Sequence, residues 1–477
     1  MFSRLLLLFA ILTQAPAISW SQQQEDSTHL QQEVKEGIEI REFKGHQLCE
    51  MQLSNGMRVI LKQVAADEDE LEIRLIAQGG WTSFIKQEKA NARIATDVLW
   101  ESGFGKLSPD QISSLMWRNS VELTNDIYPF SRTIEGSASE EGVETLFKMI
   151  NWLFTEPQFT EEGYAQAKSY LTDTLKFQPY DANRMFDYLS KSLNTAYYKG
   201  FRQLSIQTLK AKTDLAGVKE AYEKSFGDPG EFIAIITGSF EQEEIVSLVK
   251  RYLATIPLQL KNRFLMTAKE NGAPQFPSGV TRVEVPSLQL GPTETLTRIT
   301  FPLKTKISET NFKKLFLLSK LIDRRLEKVF KSRDSRSNNQ TYVSYDFPFY
   351  PYIDETWITI QLRGREGTPE TSPALLEKTV VAALEKLQAE GPTADEVEYL
   401  KKFSSNPHEQ LIENEQMLQL FIVNERETDW VLDTIVEAAA ISEKIGQEEL
   451  RKVIRDFIAI DNYTVIFSEK GSSHLSR

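Results

Sequence analysis

Between Leu71 and Leu75, apolar residues alternate with Glu72 and Arg74, a period near two that predicts a strand with one buried face. Gly79-Gly80 ends it. The period then changes. Ala92, Ala95, Thr96, Leu99 and Trp100 recur at helical spacing, and Gly103 stands where a C-cap glycine belongs. Upstream, Leu53 to Leu61 reads as strand, turn, strand, with Asn55-Gly56 supplying the positive φ of a two-residue hairpin. Downstream, Ser108-Pro109-Asp110-Gln111 combines a cap, a first-turn proline and a capping-box partner, which predicts a helix to about Trp117. Strands are predicted from Val121 to Thr124 and from Ser131 to Glu135. Helices are predicted from Glu141 to Phe154, from Glu161 to about Leu175 and from Leu215 to Phe226. Phe232 to Thr237 is apolar without a break, the pattern of a central strand. A helix from Glu241 to Leu253, then Pro257, closes this half.

Residues 258–280 hold prolines, glycine and asparagines with few large apolar side chains and read as a linker. A second series follows: a strand from Glu294 to Phe301, a long helix from Asn311 to Phe330, and paired strands from Thr341 to Asp346 and Thr356 to Leu362. Helices start at Ser372-Pro373 and at the Thr393-x-x-Glu396 cap. Others are predicted over Glu409 to Val423, Thr434 to Ile441 and Glu448 to Phe457, before a last strand from Asn462 to Phe467. The order repeats. Phe226 and Phe457 each end a helix shortly before an apolar strand, at Phe232 and Tyr463, and the early strand of each half lies at a similar distance upstream. Two copies of one α+β domain account for this, and 477 residues suit two or three domains.

Composition narrows the class. At 41% hydrophobic and 26% charged, the chain is globular. A net charge of -13 argues against nucleic acid and anionic membrane as partners. Arg4, the apolar run Leu5 to Leu12 and Ala15-Pro16-Ala17 read as a signal peptide over residues 1–21, followed by a flexible lead over 22–44. The expected location is therefore the periplasm or the secreted fraction, with no membrane attachment after cleavage. Cys49 is the single cysteine, so no internal disulfide forms. It lies in an alternating stretch and is expected to pack in a strand, with His46 on the opposite face. Trp81, Trp100, Trp117, Trp152 and Trp430 are expected to anchor cores or interfaces.

The strand–GG–helix unit, the Leu53 to Gly56 opening and the stretch FGDPGEFIAIITGSFEQEEIVSLVKRYLATIP together resemble the insulinase-like (M16, pitrilysin-type) metallopeptidase domain. The resemblance covers roughly residues 45 to 470. It implies two M16-like domains, 45–257 and 281–470, each a mainly antiparallel sheet packed against helices. In active members of that family the helix carries H-x-x-E-H. Its two imidazoles bind zinc, and the glutamate is general base to the metal-bound water. At that place stand Arg93, Thr96 and Asp97. His29, His46, His408 and His474 are the only histidines, and no two share a helix face there. The family's distant glutamate ligand should fall near Lys168 to Thr174, where Asp173 is the nearest acid. The expectation is that this chain binds no zinc itself.

The resemblance also implies a substrate-holding Arg and Tyr in the second domain. Arg336 and Tyr342 match its R-x5–6-Y-x-V spacing, with Asn338-Asn339 where the family has a glycine; Arg333 is the alternative arginine. Guanidinium and phenol donors suit peptide carbonyls. The basic run from Lys331 to Ser337 is read as a solvated loop, and His408-Glu409 as the start of a helix. The implied function is a catalytically inactive subunit that pairs with an HxxEH-bearing zinc peptidase chain and helps enclose a peptide substrate. Zinc would then reside in the partner. A stand-alone exported peptide-binding or scaffold protein is the alternative, and a hydrolase with an unrecognised site the third reading.

Overall fold

The computed structural model describes residues 30–35, 38–43, 48–63, 70–85, 88–177, 182–194, 204–257, 276–285, 294–305, 309–330, 340–346, 356–365, 372–404 and 446–468. The signal segment, Arg333, Arg336, His408 and the two helices expected between Glu409 and Ile441 lie outside them. The fold is α+β, with two sheets, each packed against helices on one face.

The first sheet contains β1 (Leu30–Lys35), β2 (Ile38–Phe43), β3 (Leu48–Gln52), β4 (Arg58–Gln63), β5 (Glu70–Gln78), β6 (Val121–Ile127), β7 (Ser131–Ser139) and β8 (Phe232–Gly238), in the order β1-β2-β3-β4-β8-β5-β7-β6. β1 and β2 correct the expected flexible lead. Ile38 and Ile40 alternate with polar neighbours and bury one face, which recruits this stretch to the sheet. The Asn55-Gly56 turn is also wider than a two-residue hairpin. Leu53 and Met57 close it, and only Gly56 has positive φ (87°). Asn55 is held in place because its amide donates to the carbonyls of Leu253 and Ile256 at the end of this half.

Between β5 and β6 lie α1 (Lys89–Ala92), α2 (Ala95–Ser102) and α3 (Pro109–Arg118), the last opened by the predicted Ser108–Gln111 capping box. After β7 come α4 (Val143–Thr155) and α5 (Glu161–Phe177), which run as predicted. The sequence reading assigns no element between α5 and Leu215; the structure has α6 (Ala182–Asn194) and α7 (Ile206–Ala211) there. Next are α8 (Leu215–Phe226), β8, and α9 (Gln242–Leu248), which widens into a π-turn over Val249–Leu253. Trp117 is not an anchor: it is 84% exposed on α3.

The second sheet contains β9 (Val280–Glu284), β10 (Glu294–Pro302), β11 (Gln340–Asp346), β12 (Trp357–Arg365) and β13 (Tyr463–Ser468), ordered β11-β12-β10-β13-β9. Its core is closed by α10 (Glu309–Phe330), α11 (Pro373–Glu390), α12 (Ala394–Ser404) and α13 (Gln447–Phe457). The repeat holds at the level of strand order. β6-β7-β5-β8-β4 in the first sheet corresponds to β11-β12-β10-β13-β9 in the second, and in each the single parallel pair, β4 with β8 and β13 with β9, falls at the same place. No helix among the described residues is long and apolar enough to cross a membrane.

One buried ion pair ties the first half together. Arg132, at the start of β7, and Glu231, before β8, have side chains 0% and 2% exposed and meet at 2.8 Å. Arg132 also donates to the carbonyls of Gly79 (2.9 Å), Gln78 (2.5 Å) and Ser225 (2.5 Å). The ends of β5 and α8 are thus fixed to the entry of β8. Removing one member of such a pair strands a buried charge, at a cost of about 3–5 kcal/mol. Glu231→Leu is therefore expected to lower the urea midpoint of the first half sharply. Arg132→Met/Glu231→Leu together should cost less than the sum of the two single changes.

Candidate functional site

The site begins at the end of β5. Gly79 donates its N–H to the Phe130 carbonyl (2.8 Å) and Trp81 to the Tyr128 carbonyl (2.9 Å), so the chain leaving β5 lies against the β6–β7 turn. A Cβ on Gly80 would sit 1.9 Å from the Tyr128 oxygen, which explains the second glycine. Trp81 then presents its ring to Arg93, whose guanidinium lies 4.6 Å from the ring centroid. Arg93 falls in a break between α1 and α2, where the sequence predicts one continuous helix. Burial lowers its pKa to about 10.

Thr96 is 5% exposed on α2. Asp97, one residue on, is half-buried, and its pKa is pushed up to about 7, first by burial and then by the charges of Asp126 and Glu101. Asp126 lies on β6, the end strand of the first sheet, and is itself raised by burial and by Glu135 on β7. β6 is joined to the helices by a chain of hydrogen bonds. Trp100 Nε1 donates to Asn125 Oδ1 (2.8 Å), Asn125 Nδ2 to the Tyr222 hydroxyl (3.2 Å), and that hydroxyl to the Leu153 carbonyl (3.0 Å). α5 packs along α2, with Gly163 against Ser102. Asp173, on α5, is 60% exposed and pairs with Lys176, one turn away in solvent.

The structure thus gathers Arg93, Thr96 and Asp97 with Trp81, Asp126 and Tyr128 at one end of the first sheet. Asp173 does not join them. The donor set does not fit zinc. A guanidinium has no lone pair to give, Thr96 is a buried neutral hydroxyl, and Asp97 alone does not make a zinc ligand set. Among the described residues, no group of three His, Cys, Asp or Glu side chains is placed to hold a metal. Tyr342 lies on β11, the end strand of the second sheet, 64% exposed. Cys49 is 1% exposed, and burial pushes its thiol up to about 12, which suits a packed residue and not a nucleophile. The sequence reading missed Asp126; its position in the strict alternation of β6 marked it as outward-facing.

Comparison with known proteins gives the context. No family model matches the chain. Among curated proteins, the probable zinc protease PqqL of Escherichia coli is 26% identical over 219 residues, 46% of this chain and 23% of that protein. The crystal structure of the periplasmic protease PqqL from Escherichia coli superposes with a TM-score of 0.64 at 17% identity, covering 92% of this chain and 47% of that one. The M16 inactive domain from Pseudomonas fluorescens superposes with a TM-score of 0.66 at 12% identity, covering 89% and 98%.

The chain is homologous to the PqqL zinc protease and shares the fold of solved M16 peptidase structures. It aligns with less than a quarter of the length of its curated PqqL relative, so the activity of that whole protein is not carried over to it.

The raised pKa of Asp97 predicts a pH dependence. Its folded pKa of about 7 exceeds the unfolded value of about 3.9, so the folded state binds the proton more tightly. Stability contributed by the neutral carboxyl is full at low pH and is lost between about pH 4 and pH 7. Asp97→Asn should raise the free energy of unfolding at pH 8 by on the order of 2 kcal/mol. It should also flatten the pH 5 to pH 8 slope, and denaturant titrations at both values read this directly.

Proposed function

We propose that this chain is a non-catalytic, peptide-holding half of an exported M16-type peptidase, paired with an HxxEH-bearing zinc chain. The observation that carries the reading is the chemistry of α2. Where the family places two imidazoles and a general base, this chain has a cation stacked on an indole, a buried hydroxyl and a carboxyl raised toward neutrality. Lengths support the pairing. The fold corresponds to 47% of the long PqqL structure but to nearly all of an M16 inactive domain, as one half of a two-part enzyme would.

Peptide holding rests on the sheet ends. β6 and β11 are the terminal strands at equivalent places in the two sheets, and an end strand offers unpaired backbone groups to an extended chain. On this reading zinc resides in the partner, Arg336 and Tyr342 contact the peptide, and the halves divide at 45–257, 258–280 and 281–470. The segment over residues 1–21 directs export to the periplasm or beyond.

Metal analysis of the purified chain should find zinc far below stoichiometry. Hydrolysis of an unstructured peptide should appear only when the chain is combined with an HxxEH-bearing M16 chain from the same source, and the two should co-elute. An HxxEH chain that is fully active alone and never co-purifies would overturn the proposal, as would stoichiometric zinc in this chain.

A further inference from the structure

The register of the second sheet aligns Tyr342, Gln361, Arg298, Ile466 and Val283 in one row across its five strands. Side chains alternate along each strand. Val343, Ile360, Ile299 and Val465 point into the helix-covered core, so this row faces the other way. The inner part of the row, at Ile466 and Arg298, is covered by α6 from the first half. Phe186 packs with Leu296 and Ile466, its ring lies 5.4 Å from the Arg298 guanidinium, and Asp187 accepts from Arg298 Nη1 at 2.9 Å. The Tyr342 end is open.

Arg298 stands between the two ends with its side chain 15% exposed. Its Nε and Nη2 both donate to Gln361 Oε1, at 3.1 and 2.7 Å. A guanidinium only donates, so it selects the amide oxygen and turns the amide nitrogen away. The two N–H donors of that amide are thereby turned away from Arg298, and in the register the neighbour of Gln361 on the next strand is Tyr342. Among the described residues, no protein acceptor takes them.

We propose that Gln361 is a further peptide-holding residue, its amide donating to a backbone carbonyl of an extended peptide beside the Tyr342 already expected to touch it, with Arg298 and Asp187 as the positioning residues that lock the amide. The inference rests on the peptide-holding reading above and adds the groups that perform it. The ligand class is the peptide main chain, so recognition is indifferent to sequence. Asp187 lies on α6, so the first half sets the orientation of a binding group on the second.

The test is fluorescence anisotropy with a fluorescein-labelled, C-terminally amidated, unstructured peptide and the full chain. Gln361→Glu keeps the side-chain shape and the acceptor for Arg298 but replaces the donors with a carboxylate oxygen. It should weaken binding by about tenfold or more without lowering the melting temperature. Gln361→Met should weaken it by about fivefold. Arg298→Met should weaken wild type comparably but add nothing in the Gln361→Met background, which a purely structural role would not produce. If the wild-type chain binds and Gln361→Glu binds equally well, the Gln361 donor is refuted while peptide holding stands. If the wild-type chain does not bind the peptide, alone or with its HxxEH partner, both readings fail together.

Discussion

A guanidinium buried at the end of a strand organises the first half. Arg132 has no access to water, so its N–H groups must find acceptors within the protein. It finds the Glu231 carboxylate and three main-chain carbonyls, and these come from the end of β5, the end of α8 and the approach to β8. The Phe232 ring, with Arg132 5.4 Å from its centre, seals the remaining side. Any shift of one of these three segments would leave a buried donor or charge uncompensated. The Gly79-Gly80 turn is therefore rigid, and it sets the position of Trp81 beneath Arg93.

From that point the site follows by geometry. Trp81 holds the side chain at the break between α1 and α2. The Trp100–Asn125–Tyr222 chain of hydrogen bonds fixes α2 to β6. Asp126 on the strand then lies close enough for its charge to help raise the half-buried Asp97 on the helix. A metal would neutralise two such acids, but the other positions supply no ligands to complete its shell. The place is filled by a guanidinium stacked on an indole, a buried hydroxyl and a carboxyl raised by burial.

The two halves carry the same five-strand pattern and use it differently. In the first sheet, three more strands extend the side of β4. In the second, the corresponding face is partly closed by α6, a helix contributed by the first half. The terminal strands, β6 and β11, remain the equivalent elements. A repeat that begins with identical topology thus gives one half its helix-bound acids and the other its exposed phenol and oriented amide.

Much of this was legible in the residues. The alternation of Leu71 to Leu75, the Ser108 capping box, the unbroken Phe232 to Thr237 run and the repeat at Tyr463 are local signals, and local backbone preference and burial pattern settle them. The absence of paired histidines on α2 is likewise a property of the sequence alone. Three features were decided only by the tertiary structure. β1 and β2 needed a sheet to join, and α6 needed the second sheet as its docking surface. The orientation of Gln361 needed Arg298, which lies 63 positions away. Each depends on a partner distant along the chain, and neither residue type nor spacing encodes which distant surface a half-buried side chain will meet.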